Sequence, residues 1–554
     1  MRKIVINRQL VPMKAHYFLW NAGTGPVVPF LSSYARQLGF SSVIVGLIYT
    51  ILPISGMLAK PLFGAIADRF HCQKKIFLFA QLLTAVAFLA IFYSPQVPVD
   101  REVQFACSDG VSVFNTYPGN TADECTILQL QNTDATDDCR MECAMTDDIW
   151  TIICNDWNAT QYCDPSTHTS TLDFTARVPK SKTDIFNQTV IFRIDDVVLT
   201  GGSTVRPTCT NTSISTSCSI ECNDYNINDL IAAPAIPDQE VYGLYQFWVF
   251  LVLMVIGLGG PGDRRQYRGC HLLRVTRYGY QRLFGALGWG TISALAGVMI
   301  DLFSSGRSQK NYVSAFYMAA AFLVLDFVVS SRLEYKQQKL SSNILRDVGK
   351  LLVDIRIIVY LVWCICVGMC TGLIWQFLFW LIEDLAKAQG CETVSLVKTL
   401  QGLVMAIQCL GGELPFFFLS GWILKKIGHV YTMSLVLLVL GLRLSLYSIL
   451  TNPWWILPIE FSNGLTFGLF FACMASYASI VAPPGTEATM QGLVGAVFEG
   501  VGVSLGSFLA GLSYNLYGGT TFLYFGIGSL IACVFHFCVQ YSIKTKGNEK
   551  PINP

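Results

Sequence analysis

Gln491-Gly-Leu493-Val-Gly495-Ala496-Val-Phe-Glu499-Gly500 repeats, without a gap, five of the ten residues of Gln281-Arg-Leu283-Phe-Gly285-Ala286-Leu-Gly-Trp289-Gly290, at an offset of 210. A second pair, Gly64-Ala-Ile-Ala-Asp68-Arg69 and Gly421-Trp-Ile-Leu-Lys425-Lys426, places two charged residues four and five positions after a glycine, at an offset of 357. The offsets differ by 147, and a polar, cysteine-rich stretch at 96–240 is 145 residues long. Both offsets are accounted for if the chain is two copies of one unit and the first copy carries that stretch as an insertion.

Each copy reads as six membrane-spanning helices. Apolar segments near the ~20 residues that a bilayer requires fall at 15–34, 41–64, 76–95, 241–261, 283–303 and 312–331 in the first copy. The second supplies 356–382, 398–424, 430–450, 453–482, 488–514 and 520–541. The composition agrees: 52% of the 554 residues are hydrophobic, 14% are charged, and mean hydropathy is +0.46, values that exclude an ordinary soluble domain. A net charge of +1 without a concentrated basic face argues against nucleic-acid binding.

The expected fold is therefore an all-α membrane protein of twelve transmembrane helices in two six-helix pseudo-repeats, an arrangement typical of transporters. The predicted segments are 1–95 (helices one to three), 96–240 (insertion), 241–331 (helices four to six), 332–355 (cytoplasmic linker), 356–541 (helices seven to twelve) and 542–554 (cytoplasmic tail). The first helix contains Gly23, Gly25, Pro26 and Pro29 and lacks a cleavage pattern, so a retained anchor is expected.

Charge sets the orientation. Arg69, Lys74 and Lys75, six arginines between 264 and 282, the basic residues of 332–356, and Lys425 and Lys426 all fall on the side that holds both termini, which the positive-inside rule makes cytoplasmic. The insertion is then extracellular. It holds nine cysteines, Cys107, Cys125, Cys139, Cys143, Cys154, Cys163, Cys209, Cys218 and Cys222, and an outward loop adds Cys391, so five disulfides of open connectivity can form in an oxidising compartment. Three N-glycosylation acceptors, Asn158, Asn187 and Asn211, lie in the same stretch. No retention signal closes the chain at Pro554, and the plasma membrane is the expected location.

The sequence Gly64, Asp68, Arg69, then Lys74 and Lys75 between helices two and three resembles the signature of the major facilitator superfamily. Lys14-Ala-His-Tyr-Phe through Gly25-Pro26, Gly412-Glu413-Leu-Pro415-Phe-Phe-Phe and Phe498-Glu499-Gly-Val-Gly are similar to the animal major facilitator superfamily domain-containing protein 6 group. That resemblance implies the major facilitator fold and a relation to lactose-permease-like and nucleoside–proton symporters. Two departures stand out: Phe70-His71-Cys72-Gln73 replaces the usual glycine and basic cluster, and the arginine-rich run 263–280 does not fit the family pattern after helix four.

Ionisable residues inside a bilayer cost roughly 2.5–3.5 kcal/mol each and are candidates for function. Glu413 falls mid-helix eight, Arg443 in helix nine, Glu460 in helix ten and Glu499 in helix eleven. Arg443 and Glu460 lie at similar depth and can pair directly, either as a coupling element or as a permanent strut. The resemblance implies the former, because lactose-permease-like symporters carry a proton-coupling set on the same helices. Gly411, Gly412 and Pro415 predict an irregular backbone around Glu413. Asn21, Trp289, Gln376 and Trp380 are candidates to line the same cavity, where amides and flat aromatic surfaces suit sugars or nucleosides. Gly64, Asp68 and Arg69 read as a conformational latch. Asp301, Asp326, Glu383 and Asp384 sit near helix ends and are expected to reach water.

The chain lacks phosphate-binding, zinc-peptidase and nucleophile-elbow motifs. It is therefore expected to be a secondary transporter and not an enzyme, with no cofactor or metal and a proton gradient as its energy source. Its expected partners are the lipid bilayer and a small polar organic solute. The alternative is a cell-surface receptor or interaction protein that binds an extracellular protein through 96–240.

Overall fold

A computed structural model describes residues 11–70, 72–115, 124–186, 189–209, 213–232, 237–259, 278–305, 307, 309–332, 354–482 and 486–546. The arginine-rich run, Asn187, Asn211 and most of the linker 332–355 and tail 542–554 lie outside them. The chain divides into two compact units.

The first unit, Met1–Gln96, Val241–Phe303 and Asn311–Pro554, is helical. Its principal helices are α1 (Val11–Thr24), α2 (Leu31–Gln37), α3 (Ser42–Arg69), α4 (Gln73–Phe92), α5 (Tyr245–Leu258), α6 (Tyr278–Phe303) and α7 (Val313–Ser331). They continue with α8 (Ile355–Gln389), α9 (Val397–Ala406), α10 (Leu414–Ile427), α11 (His429–Ser448), α12 (Leu469–Val481), α13 (Glu487–Gly495), α14 (Ser504–Tyr517) and α15 (Thr521–Lys546). Among the described residues, nine stretches are long and apolar enough to cross a membrane, and α5 is a shorter apolar helix.

Several predicted segments are interrupted. The first, expected at 15–34, ends as α1 at Thr24 and resumes through a 3-10 turn at Val28–Phe30 into α2. Pro26 and Pro29 have no N–H to continue the ladder. The segment expected at 398–424 runs as α9, a π-helix at Ile407–Glu413, then α10, which admits Pro415 in its first turn. Two more π-helices, Gly464–Gly468 and Ala496–Val503, lie before α12 and α14. Short π segments occur frequently at functional sites, because the extra residue per turn re-aims side chains.

Glycines let the halves of this unit pack backbone against backbone. A Cβ at Gly46 of α3 would stand 2.7 Å from the Ser507 carbonyl oxygen and 2.9 Å from Gly511 Cα of α14. One at Gly402 of α9 would meet the Ser293 carbonyl oxygen of α6 at 2.8 Å. Only residues without side chains allow this backbone contact. Toward the opposite end, a Cβ at Gly421 or Gly492 would meet nothing within 4 Å.

The second unit, Val97–Glu240 with Ser304–Lys310, holds a nine-stranded antiparallel sheet of β1 (Glu102–Ser108), β2 (Val111–Asn115), β3 (Thr136–Ala144), β4 (Thr171–Pro179), β5 (Thr183–Phe186), β6 (Thr189–Ile194), β7 (Asp196–Leu199), β8 (Thr204–Val205) and β9 (Ile214–Cys222), in the order β5-β6-β2-β1-β9-β3-β4-β7-β8. Residues 304–310, which the sequence had grouped with helices five and six, belong to this unit. Period-two alternation builds its core: in β3 (Thr136–Ala144), Asp137, Cys139, Met141 and Cys143 are buried and their neighbours are exposed. β3 pairs with β9 (Ile214–Cys222) so that Cys139 faces Cys222 and Cys143 faces Cys218, and both pairs are disulfides. Cys107–Cys209 and Cys154–Cys163 are the other assigned pairs, and Cys125 is also disulfide-bonded, as is Cys391 of the helical unit. Asn158 is exposed, with φ 54°.

Candidate functional site

A cavity of about 480 Å³ lies within the helical unit, lined by residues of both halves. The first half contributes Tyr17 and Asn21 from α1, Tyr49 and Gly56 from α3, and Trp289 from α6. The second contributes Gln376 and Trp375 from α8, Arg443 from α11 and side chains from all three π-helices. Gln408, Cys409 and Glu413 come from the first of these, Thr466 and Phe467 from the second, and Glu499 and Val503 from the third. The irregular backbone expected around Glu413 is thus one of three.

Six of the eight sequence candidates, Asn21, Trp289, Gln376, Glu413, Arg443 and Glu499, line this cavity. Gln376 donates to Ser507 Oγ at 3.3 Å, and Asn21 Nδ2 to the Tyr17 carbonyl at 2.8 Å. The other two are elsewhere. Glu460 is buried behind Arg443, its carboxylate 2.5 Å from Arg443 Nη2, so its reach to the cavity runs through the guanidinium. Trp380 is buried outside the lining, its ring 4.6 Å below the Arg36 guanidinium.

The ion pair is enclosed by a network that sequence reading missed. Arg443 Nε donates to the Tyr447 hydroxyl at 2.6 Å, and Nη1 donates to Asn463 Oδ1 at 2.8 Å and Thr466 Oγ1 at 2.7 Å. Gln408 Nε2 donates to Glu460 at 2.6 Å, and Tyr447 donates to its other oxygen. Asn463 Nδ2 reaches Glu413 Oε1 at 3.3 Å, joining the pair to the cavity carboxylate. Every nitrogen of the guanidinium thereby has a partner, which a buried charge requires. The available signal was Ser462-Asn463-Gly464, a polar interruption of an apolar segment; Tyr447 carried none, since tyrosine is common in membrane helices.

The helix-end acids do not simply reach water. Asp384 binds Arg36 of α2 at 2.7 Å and accepts from Tyr514 of α14 at 2.6 Å. Glu383 binds Lys398 at 2.5 Å and Arg36 at 3.5 Å. Asp301 of α6 accepts from the Thr399 backbone N–H at 2.6 Å. These bonds tie the first half to the second at the end where Gly46 and Gly402 pack. Asp326 is fully buried beside His16, 2.8 Å away, because α1 and α4 cover the last turns of α7. Of the latch residues, Gly64 lies within α3, and Arg69 is exposed and stands 5.9 Å from the Phe70 ring; the side chain of Asp68 lies outside the described residues.

A cavity between two packed helical halves, lined by Arg443, Glu413 and Glu499 and crossed by interrupted helices, fits a membrane transporter of the major facilitator class. The chain belongs to the MFS_1 like family, whose match covers residues 10–525. It is similar to "Major facilitator superfamily domain-containing protein 6-like protein B" of Xenopus laevis, 23% identical over 550 residues that span 91% of this chain and 86% of that protein. The corresponding 6-like protein of Danio rerio is 23% identical over 91% of this chain and 82% of its own length. Among solved structures, that of the nucleoside transporter NupG matches with a TM-score of 0.54 and 13% identity over 96% of this chain and 99% of that one. That likeness concerns the fold.

Proposed function

We propose that the chain is a proton-coupled symporter that moves a small polar organic solute, sugar- or nucleoside-like, across the plasma membrane by alternating access. The carrying observation is the joining of Glu413, at the cavity wall, through Asn463 to the buried Arg443–Glu460 pair. A solute that takes the Glu413 hydrogen bond competes with Asn463, and the change passes to the guanidinium. Proton uptake by a carboxylate is then linked to solute binding by competition for one set of donors.

In this reading twelve helices span the bilayer, both termini are cytoplasmic, and the disulfide-bonded sheet unit is an N-glycosylated extracellular insertion. The glycine contacts and the Arg36–Asp384 bond then close the outer end of the cavity. The nucleoside specificity of NupG makes nucleosides the first solutes to assay.

The test is uptake into liposomes under an imposed pH gradient, across sugars, nucleosides and amino acids. Gradient-driven uptake reduced by about tenfold or more in Glu413→Gln, with normal insertion, is the expected result. Uptake that ignores the gradient, or a Glu413→Gln variant that transports normally, rules this mechanism out.

A further inference from the structure

Behind the cavity wall, the first half buries a second ionisable group that transport through Glu413 and Arg443 does not use. His16 Nδ1 of α1 and Asp326 Oδ1 of α7 are 2.8 Å apart, and the two residues are 4% and 0% exposed. Gln81 of α4 donates to Asp326 Oδ2 at 2.5 Å and to Ser330 Oγ at 3.2 Å, while its own Oε1 is buried without a partner. Ser330 Oγ lies 3.1 Å from His16 Nδ1, and Phe77 sets an edge against the imidazole with 5.5 Å between ring centres.

A carboxylate removed from water requires an accompanying positive charge or a proton. Protonated His16 supplies the charge; a protonated Asp326 carboxyl removes the need for it. In both forms the pair holds one proton more than a carboxylate beside a neutral imidazole. We propose that His16 and Asp326 form a proton-binding site of the first half, outside the cavity, whose occupancy sets the position of α1.

The link to transport rests on the function proposed for the cavity and on chain geometry. Tyr17 adjoins His16, Asn21 lies one turn further, and both line the cavity. Loss of the proton leaves a negative charge between α1 and α7, and helix separation or water entry must relieve it. Other charged groups on the surrounding elements are Lys14 on α1, Lys74 and Lys75 at the start of α4, Asp301 and Arg282 on α6, Arg332 just beyond α7, and Lys60, Asp68 and Arg69 on α3. Lys14 stands over the Phe284 ring, Asp301 accepts from Thr399, and Arg69 turns to Phe70. None of these three contacts engages the pair.

The experiment uses purified full-length chain in lipid nanodiscs, with Asn21→Cys introduced as a reporter in the cavity wall. Its modification by N-ethylmaleimide is read at residue 21 by mass spectrometry, relative to N-acetylcysteine modified in the same buffer, which corrects for the intrinsic pH dependence of thiols. The relative rate should change by about fivefold or more between acidic and alkaline buffer. His16→Gln and Asp326→Asn should abolish that change. His16→Lys, which carries a fixed charge against Asp326, should hold the rate at its acidic limit at every pH and serves if the neutral variants fail to fold. A flat profile in the Asn21→Cys chain overturns the proposal, as does a pH response retained in His16→Lys. Neither readout needs a transported solute, so this site and the transport mechanism fail independently.

Discussion

In the second half, the buried guanidinium of Arg443 faces the cavity, and three helical segments supply its partners; in the first half, the buried carboxylate of Asp326 lies behind α1 and touches the cavity only through the helix that covers it. The offset of 210 that aligns helices five and eleven carries Asp326 onto His536, whose Nδ1 meets Ser434 of α11 at 2.9 Å. One slot of the repeat therefore holds an acid in one copy and a base in the other, each bonded to a neighbouring helix. The two positions thus differ in chemistry while both pack against a neighbouring helix.

The largest expected effect tests whether the second half's pair is a unit. Glu460→Leu leaves a guanidinium buried without its carboxylate and should cost about 3–5 kcal/mol, read as a fall in melting temperature in nanodiscs. Arg443→Met combined with Glu460→Leu should recover most of that loss while abolishing transport. A double variant as unstable as the single would mean that the surrounding network, and not the pair, holds these helices together.

Asp326→Asn asks the same of the first half. Asparagine keeps most hydrogen bonds and removes the charge, so the loss should be smaller, about 1–3 kcal/mol, in the same melting assay. Equal losses at Asp326 and Glu460 would erase the distinction between the halves.

The same division decides how much was legible in the sequence. Long apolar segments were enough for a mostly helical membrane fold, since bilayer length is a local property of the chain. The acids of the second half stood out because nothing else explains a glutamate at position 413 or 499 amid apolar residues. Asp326 was assigned to water on its distance from a helix end, and only the packing of α1 and α4 reverses that. The π-helices at Gly464–Gly468 and Ala496–Val503 were equally hidden, for glycine alone does not announce an extra residue in a turn. The sheet of the second unit had a local signal, the alternation of Thr136–Ala144, which cysteine counting had overshadowed.

Gly46→Val sharpens the contact between halves: its side chain would collide with Ser507 and Gly511, so this end should part, and a Gln376→Cys reporter should label about tenfold faster from the side where Gly46 and Gly402 pack. The smallest effect is expected for Tyr447→Phe, which removes the hydroxyl joining Arg443 to Glu460 and should cost about 1 kcal/mol in the melting assay.

The three π-helices carry a consequence for how such a cavity changes over generations. Each holds about one more residue per turn than its flanking helix, so one residue fewer would fit a regular turn. Removing one residue from Ile407–Glu413 would return this turn to the regular period and re-aim the side chains within it, while the flanking helices keep their register. Glu413 would leave the wall and a neighbour would take its place, with no substitution anywhere. Single-residue insertions and deletions at these three segments are thus a route by which relatives on the same scaffold can acquire different solutes.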